Sequence, residues 1–306
     1  MTIYFSDTIN NLERGHAHFE FVDIKMHSDT RLFIDPSLIK VLKDAWCKEA
    51  NRVIDSYFDA LYEAYRSCDE ARINRLLSFA QEIRNTHLGY GRTIQGHGNT
   101  ADGLAEKLSC LGDLTLKIDS ISSAADLPIF IDDFDKDGLS DMITNIIHQQ
   151  LNNFTVEQMM KLGKAPNTTD TFHTWSVEKN DWVQVVDEPS YTFGGEPVLL
   201  VPKRIVQKNY LYRAEHFLRQ VILERIQRDE AYTDSSGKTR YPYKKDLEAQ
   251  IDHSSEGWRK EFIVDYATNY PDTLVEYHNR TSEFYANRKM LDDKLDLAVY
   301  GTIIPS

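Results

Sequence analysis

No stretch of this chain approaches the roughly 20 consecutive apolar residues that a membrane-spanning helix requires, so no membrane contact is expected. The N-terminal Met-Thr-Ile-Tyr-Phe-Ser-Asp lacks a basic segment followed by an apolar one, so no secretory leader is expected. Cysteine is scarce. Cys47, Cys68 and Cys110 are odd in number and lack metal-ligand spacing, which suits free thiols in a reducing, cytoplasmic compartment. Positive charge is in short supply as well: a net charge of −13 disfavours bulk electrostatic attraction to nucleic acid. Internal repeats and low-complexity tracts are absent.

What is present suits a globular core. Apolar residues make up 41% and charged residues 27% of the 306 residues. Residues 19–25 alternate as a half-buried strand, and 31–35 form a second strand ended by Pro36, with His27-Ser28-Asp29 as the turn between them. Helical spacing covers 48–66, with Val53, Ile54, Tyr57, Phe58, Leu61, Tyr62 and Tyr65 on one face, then 70–86 and 142–154. After Lys164 a hairpin is expected over 172–187 around Glu178-Lys179-Asn180-Asp181, then a buried strand at 197–201. Helices are expected near 209–231, 244–269 and 272–293. The fold class is α+β and helix-rich, with short strands near the N-terminus and in 172–203. Its parts are 1–165 and 166–306, or one continuous domain.

Residues 133–141 read Asp-Phe-Asp-Lys-Asp-Gly-Leu-Ser-Asp. Folded as a tight loop bending at Gly138, Asp133, Asp135, Asp137 and Asp141 would converge on one hard cation: Mg²⁺, Mn²⁺ or Ca²⁺. The run resembles the calcium loops of integrin-type propeller domains and, more loosely, an EF-hand loop. It departs from the latter at Ser140 and at Thr144, where a bidentate Glu is usual. Such a metal, with Asp137 and Asp141 as catalytic ligands, would activate water for phosphodiester cleavage. The other reading is that Asp137 or Ser140 caps the next helix, its neighbours favouring the positive helix end. Four carboxylates this close require a cation or a basic side chain nearby.

Three further features carry chemistry. Gly96, Gly98 and Thr100 precede a helix and would offer backbone N–H groups to a phosphate, although the Gly-Lys-Ser/Thr of a Walker motif is missing. His16 and His18 share the spacing of a metal pair without a third ligand, and His148 reads as a structural histidine. From Lys203 to Lys245 there are eleven Lys and Arg against five Asp and Glu. Lys203, Arg204, Lys208, Arg213, Lys238 and Arg240 are the expected nucleic-acid contacts. They are interleaved with Tyr210, Tyr212, Phe217, Tyr241 and Tyr243, the cation-and-ring mixture used on single strands. Glu215 with Arg219 and Glu224 with Arg228 are expected as i,i+4 pairs. Tested as a restriction-type nuclease set, Asp187, Glu196 and Lys203 lack the signature in its usual form, because Pro-Val follows Glu196 with no Lys at the required place. Lys203 is seven residues past Glu196 and needs a bulge to serve there.

The phrases Leu-Phe-Ile-Asp-Pro (32–36), Asp-Gly-Leu-Ser-Asp-Met-Ile-Thr-Asn-Ile-Ile (137–147) and Leu-Leu-Val-Pro-Lys (199–203) resemble those of uncharacterised bacterial proteins, some from phage-defence loci. That resemblance implies an accessory, antiviral role and transfers no active site. The expectation is a metal-dependent nuclease or phosphodiesterase that binds nucleic acid or nucleotide phosphate along 203–245, with Lys203 assisting. The alternative is a non-catalytic subunit that docks on a protein partner.

Overall fold

The computed structural model describes residues 2–9, 12–80, 85–90, 101–131, 134–285 and 288–304. Strand β1 (Phe33–Ile34) leads into α1 (Pro36–Val41), α2 (Ala45–Arg66), α3 (Glu70–Leu77), α4 (Ala101–Lys107), α5 (Leu111–Lys117) and α6 (Leu127–Phe130). Helices α7 (Lys136–Ile146) and α8 (His148–Lys161) precede the long hairpin β2 (Thr168–Ser176) and β3 (Asp181–Ser190). Short strands β4 (Thr192–Phe193), β5 (Glu196–Pro197) and β6 (Val206–Gln207) come after it. Helix α9 (Ala214–Phe217) runs through a π turn, Leu218–Ile222, into α10 (Leu223–Asp229). Hairpin β7 (Tyr232–Thr233) and β8 (Thr239–Arg240) comes next. The chain finishes with α11 (Lys244–Glu248), α12 (Trp258–Asn269), α13 (Asp272–Tyr285) and α14 (Asp292–Val299). The architecture is helix-rich α+β, with strands in two-stranded antiparallel pairs.

Helix α2 forms as its apolar spacing dictates: Asp44 caps it by accepting from Cys47 N, and Val53, Ile54, Tyr57, Phe58, Leu61 and Tyr62 are buried. Each such side chain contributes about 1.5–3 kcal/mol relative to exposure. The hairpin β2–β3 lies against this face. Tyr57 meets Trp175 and Trp182 edge-on, with ring centroids 5.1 and 5.5 Å away. Both indoles find partners despite burial, Trp175 donating to Ser56 Oγ at 3.1 Å and Trp182 to the Leu76 carbonyl at 2.8 Å.

Helix α7 sits deeper still. From Gly138 to Ile146 only Asp141 is not buried, and the helix touches β1, β2, α2, α6 and α8. Its polar residues are therefore satisfied locally or by neighbours. Thr144 donates to the Ser140 carbonyl at 2.8 Å, and Ser140 Oγ accepts from Ile34 N at 3.0 Å.

Several expected strands take another form. Residues 19–25 make no ladder with 31–35. Phe21 bridges to Pro202, Val22 N donates to the Val201 carbonyl at 2.9 Å, and β1 pairs with β6 instead. Nor do 197–201 form a strand beyond Pro197. Val198 to Val201 are all buried, and the N–H groups of Val198, Leu199 and Leu200 reach separate partners, Tyr191 O, Asn85 O and Thr155 Oγ1. The 142–154 helix begins earlier, at Lys136, and breaks at Ile147. The 70–86 helix ends at Leu77, and 244–269 divides into α11 and α12.

The chain ends are joined by a buried polar network. His16 Nδ1 donates to Asp296 Oδ1 at 2.7 Å, while His16 Nε2 accepts from Asp23 N at 3.1 Å. Burial holds the His16 imidazole below its usual range, Asp296 opposing, so the ring is neutral with its hydrogen on Nδ1. Asp23, itself buried, accepts from Ser6 Oγ and Tyr300 Oη, each at 2.6 Å.

Burial depresses His148 to about 4, with Asp170 opposing; its ring stacks on Phe172 at 3.9 Å. Because the folded pKa lies below the unfolded value of about 6.5, the unfolded chain binds the extra proton. This histidine's contribution is complete above pH 6.5 and fades as pH falls toward 4. His148→Phe keeps a ring in place without the titration. Urea unfolding of both proteins from pH 7 to pH 4 should show the wild type losing on the order of 3 kcal/mol more than the variant.

Candidate nucleic-acid interface

From Lys136 onward the acidic run is helix and not loop. Asp135 is the N-cap of α7, its Oδ1 accepting from Asp137 N at 3.0 Å and Gly138 N at 3.3 Å. Asp137 and Asp141 are thus helical residues one turn apart, which corrects the expected tight bend at Gly138. The N-terminal N–H groups of a deeply buried helix need acceptors, and Asp135 supplies one. Asp133 lies outside the described residues, as do Gly96, Gly98 and Thr100 of the glycine-rich passage. Among the described residues no three His, Cys, Asp or Glu side chains are grouped as a metal site.

Basic side chains answer this local negative charge. Lys136, Arg31 and Arg213 share one electrostatic neighbourhood with Asp135 and Asp137. Lys136 Nζ lies 4.6 Å from the Phe33 ring centroid and 5.6 Å from that of Tyr90, and donates to the Lys208 carbonyl at 2.6 Å. Burial lowers its ammonium below the usual lysine range, with Asp135 opposing. Tyr90 is pushed up to about 12, first by burial and then by Asp135. Asp137 Oδ1 accepts from Tyr90 N at 3.3 Å, and a Cβ on Gly89 (φ +125°) would stand 2.7 Å from that oxygen.

Much of the basic stretch is committed internally. Lys203 Nζ donates to the His16 carbonyl at 2.6 Å and pairs with Asp292 at 2.9 Å, so it is part of the tie between the chain ends. Arg204 grips Asp44 with two nitrogens, at 3.1 and 3.3 Å, over the Trp46 ring. Tyr210, Tyr212 and Phe217 are buried: Tyr210 Oη reaches the Ile34 and Lys136 carbonyls, Tyr212 Oη the His278 carbonyl. The Glu224 carboxylate pairs with Lys244 at 2.9 Å and Arg280 at 2.6 Å, while Arg228 Nε donates to the Glu224 backbone carbonyl at 3.3 Å. Arg228 points toward Glu276 at 3.8 Å, and Glu215 meets Arg213 at 3.7 Å. Asp187 (φ +55°) lies on the long hairpin near its bulge, whereas Glu196 belongs to β5.

Within the basic stretch, the rings that reach solvent lie at or just after the second hairpin. Tyr232, Tyr241 and Tyr243 are 58%, 57% and 72% exposed. Tyr232 pairs with Arg240 across the ladder, so the two side chains share a face. The connecting turn is held by Asp234, which accepts from Ser236 N at 2.9 Å, Lys238 N at 3.0 Å and Arg240 Nε at 2.8 Å. The Ser236 hydroxyl, which donates to Asp234 Oδ1 at 2.6 Å, and then Arg240 hold its carboxyl down to about 2, and Gly237 takes the positive φ the turn needs. Lys238 is exposed, and Lys245 Nζ lies 5.8 Å from the Tyr243 ring. Tyr241 also lines a recess with Arg228 and Arg280. Tyr232 is missed by sequence reasoning because a tyrosine between two short breaks has no periodicity to mark it.

The family model for a domain of unknown function, DUF8370, matches residues 11–213. The chain belongs to that family. No curated protein and no solved structure matches it. The tyrosine hairpin lies beyond the matched segment, whereas the α7 cap and Lys203 lie within it. No helix among the described residues is long and apolar enough to cross a membrane.

Capping and metal binding at Asp135 separate by substitution. Asn caps as well as Asp but is a poorer ligand for a hard cation. In EDTA, Asp135→Asn should match the wild type in urea unfolding, and Asp135→Ala should be less stable by about 1 kcal/mol. A Mn²⁺-dependent rise in melting temperature, lost in both variants, would instead assign Asp135 to a metal.

Proposed function

We infer that this DUF8370 protein contacts single-stranded nucleic acid through the edge formed by β7, β8 and the residues leading into α11. The observation that carries the reading is the set of three exposed tyrosines, Tyr232, Tyr241 and Tyr243, interleaved with Lys238, Arg240 and Lys245. Rings stack on bases of any sequence, and the cations track the phosphates. A net charge of −13 over the whole chain confines such contact to this edge and makes it sensitive to salt. Strand cleavage with Mg²⁺ or Mn²⁺ would be a separate step. It would require Asp137 and Asp141, one turn apart on α7, to exchange protein contacts for a metal.

A second reading has its own support. Arg225, Lys244 and Arg280 are neutralised by Asp272, Glu276 and Glu224, which leaves a tyrosine-rich edge of mixed charge, the composition of a protein-contact surface. Such an edge fits the non-catalytic interaction subunit.

Fluorescence anisotropy with a labelled oligothymidine of about 12 nucleotides tests the first reading. Binding at low salt should weaken at least tenfold in Tyr232→Ala/Tyr243→Ala and decline as salt rises. Absence of binding at low ionic strength, or equal affinity in the variant, would leave the protein-contact reading.

A further inference from the structure

Away from the hairpin, α1, the turn at Ala124–Asp126 and α13 enclose a cleft of ≈ 530 Å³, lined in part by Ser37, Lys40, Lys43, Ser123, Tyr212 and His278. That volume is in the range of small-molecule sites. At its wall stands a carboxylate–imidazole pair. Asp126 is fully buried; its Oδ2 accepts from Ser122 N at 3.1 Å and Ser123 N at 2.9 Å, and its Oδ1 lies 2.6 Å from His278 Nε2. An acceptor so placed puts the ring hydrogen on Nε2 and fixes the plane of the imidazole, leaving Nδ1 as the ring nitrogen Asp126 does not engage. Tyr212 Oη steadies the same residue from the other side by donating to the His278 carbonyl at 3.3 Å.

Among the described residues that line the cleft, Lys40 and Lys43 carry the charge at its mouth. Lys40 and Lys43 reach solvent, and among the described residues neither pairs with a carboxylate, unlike Lys203, Arg204, Arg225 and Lys244. Lys40 feels Asp55 only through space. Two such ammonium groups beside hydroxyls, an oriented imidazole and the apolar bodies of Val41 and Tyr212 match a ligand with a phosphate at one end and a ring or sugar at the other. We propose that this cleft binds a phosphate-bearing small molecule of mononucleotide size, with Lys40 and Lys43 on the phosphate and His278 as a hydrogen-bonding group held by Asp126. The site is independent of the tyrosine hairpin. Arg280, the α13 residue beside the hairpin recess, is two positions from His278 and so on the opposite side of the helix.

Titration calorimetry on the full chain tests the assignment, with the four common nucleoside 5′-monophosphates, inorganic phosphate and adenosine as probes. At least one monophosphate should bind with unit stoichiometry and be displaced by inorganic phosphate, while adenosine gives no heat. Lys40→Ala/Lys43→Ala, two surface changes that spare the fold, should weaken binding at least tenfold without altering oligothymidine affinity. His278→Gln should weaken it as well while melting as the wild type does; Asp126→Asn is a poorer probe because its carboxylate also holds the turn. No binding by any monophosphate, undiminished binding in the double lysine variant, or indifference to inorganic phosphate would each overturn the proposal.

Discussion

Enclosing α7 dictates how the surrounding chain is used. A helix with almost no solvent face has no water to satisfy its first N–H groups or its polar side chains, so each partner must come from protein. Asp135 supplies the cap, Ser140 accepts from β1, and Thr144 turns back on its own helix. Strand β1 is in turn held by β6 and by the Tyr210 hydroxyl at the Ile34 carbonyl. The segment with the most conspicuous charge in the sequence is thus the entrance to its most buried helix.

That coupling explains why some elements were legible in the sequence and others were not. The apolar face of α2 and the long hairpin around Asn180 derive from local spacing and fold as that spacing implies, whereas the 142–154 periodicity is divided between α7 and α8. The acidic run is ambiguous locally, because alternating aspartates serve a cation loop and a helix start equally well. The burial of Leu139 to Ile146, Asp141 apart, makes the helix start dominate, and burial is a property of the whole chain. The same holds for 198–201, whose apolar run reads as a strand although the N–H groups of Val198, Leu199 and Leu200 go to Tyr191, Asn85 and Thr155.

Functional side chains are the hardest to read from sequence. Lys203 looks available and is tied to His16 and Asp292; Tyr210 and Tyr212 look like stacking rings and are buried. Conversely, Asp126 and His278 are 152 positions apart and no local pattern joins them. The exposed tyrosines of the short hairpin stand out only once the neighbouring rings are seen to be inside.

The tie between the N-terminal segment and α14 reaches beyond the part of this chain that the family model matches. Asp23 and His16 fall inside the segment shared with the DUF8370 family, yet Tyr300 and Asp296, which satisfy them, fall outside it. A fragment cut after residue 213 would keep a carboxylate and an imidazole in an apolar interior without the partners that α14 and its end supply. The stretch by which relatives are recognised and the stretch that must be present for the core to close are therefore different lengths of chain.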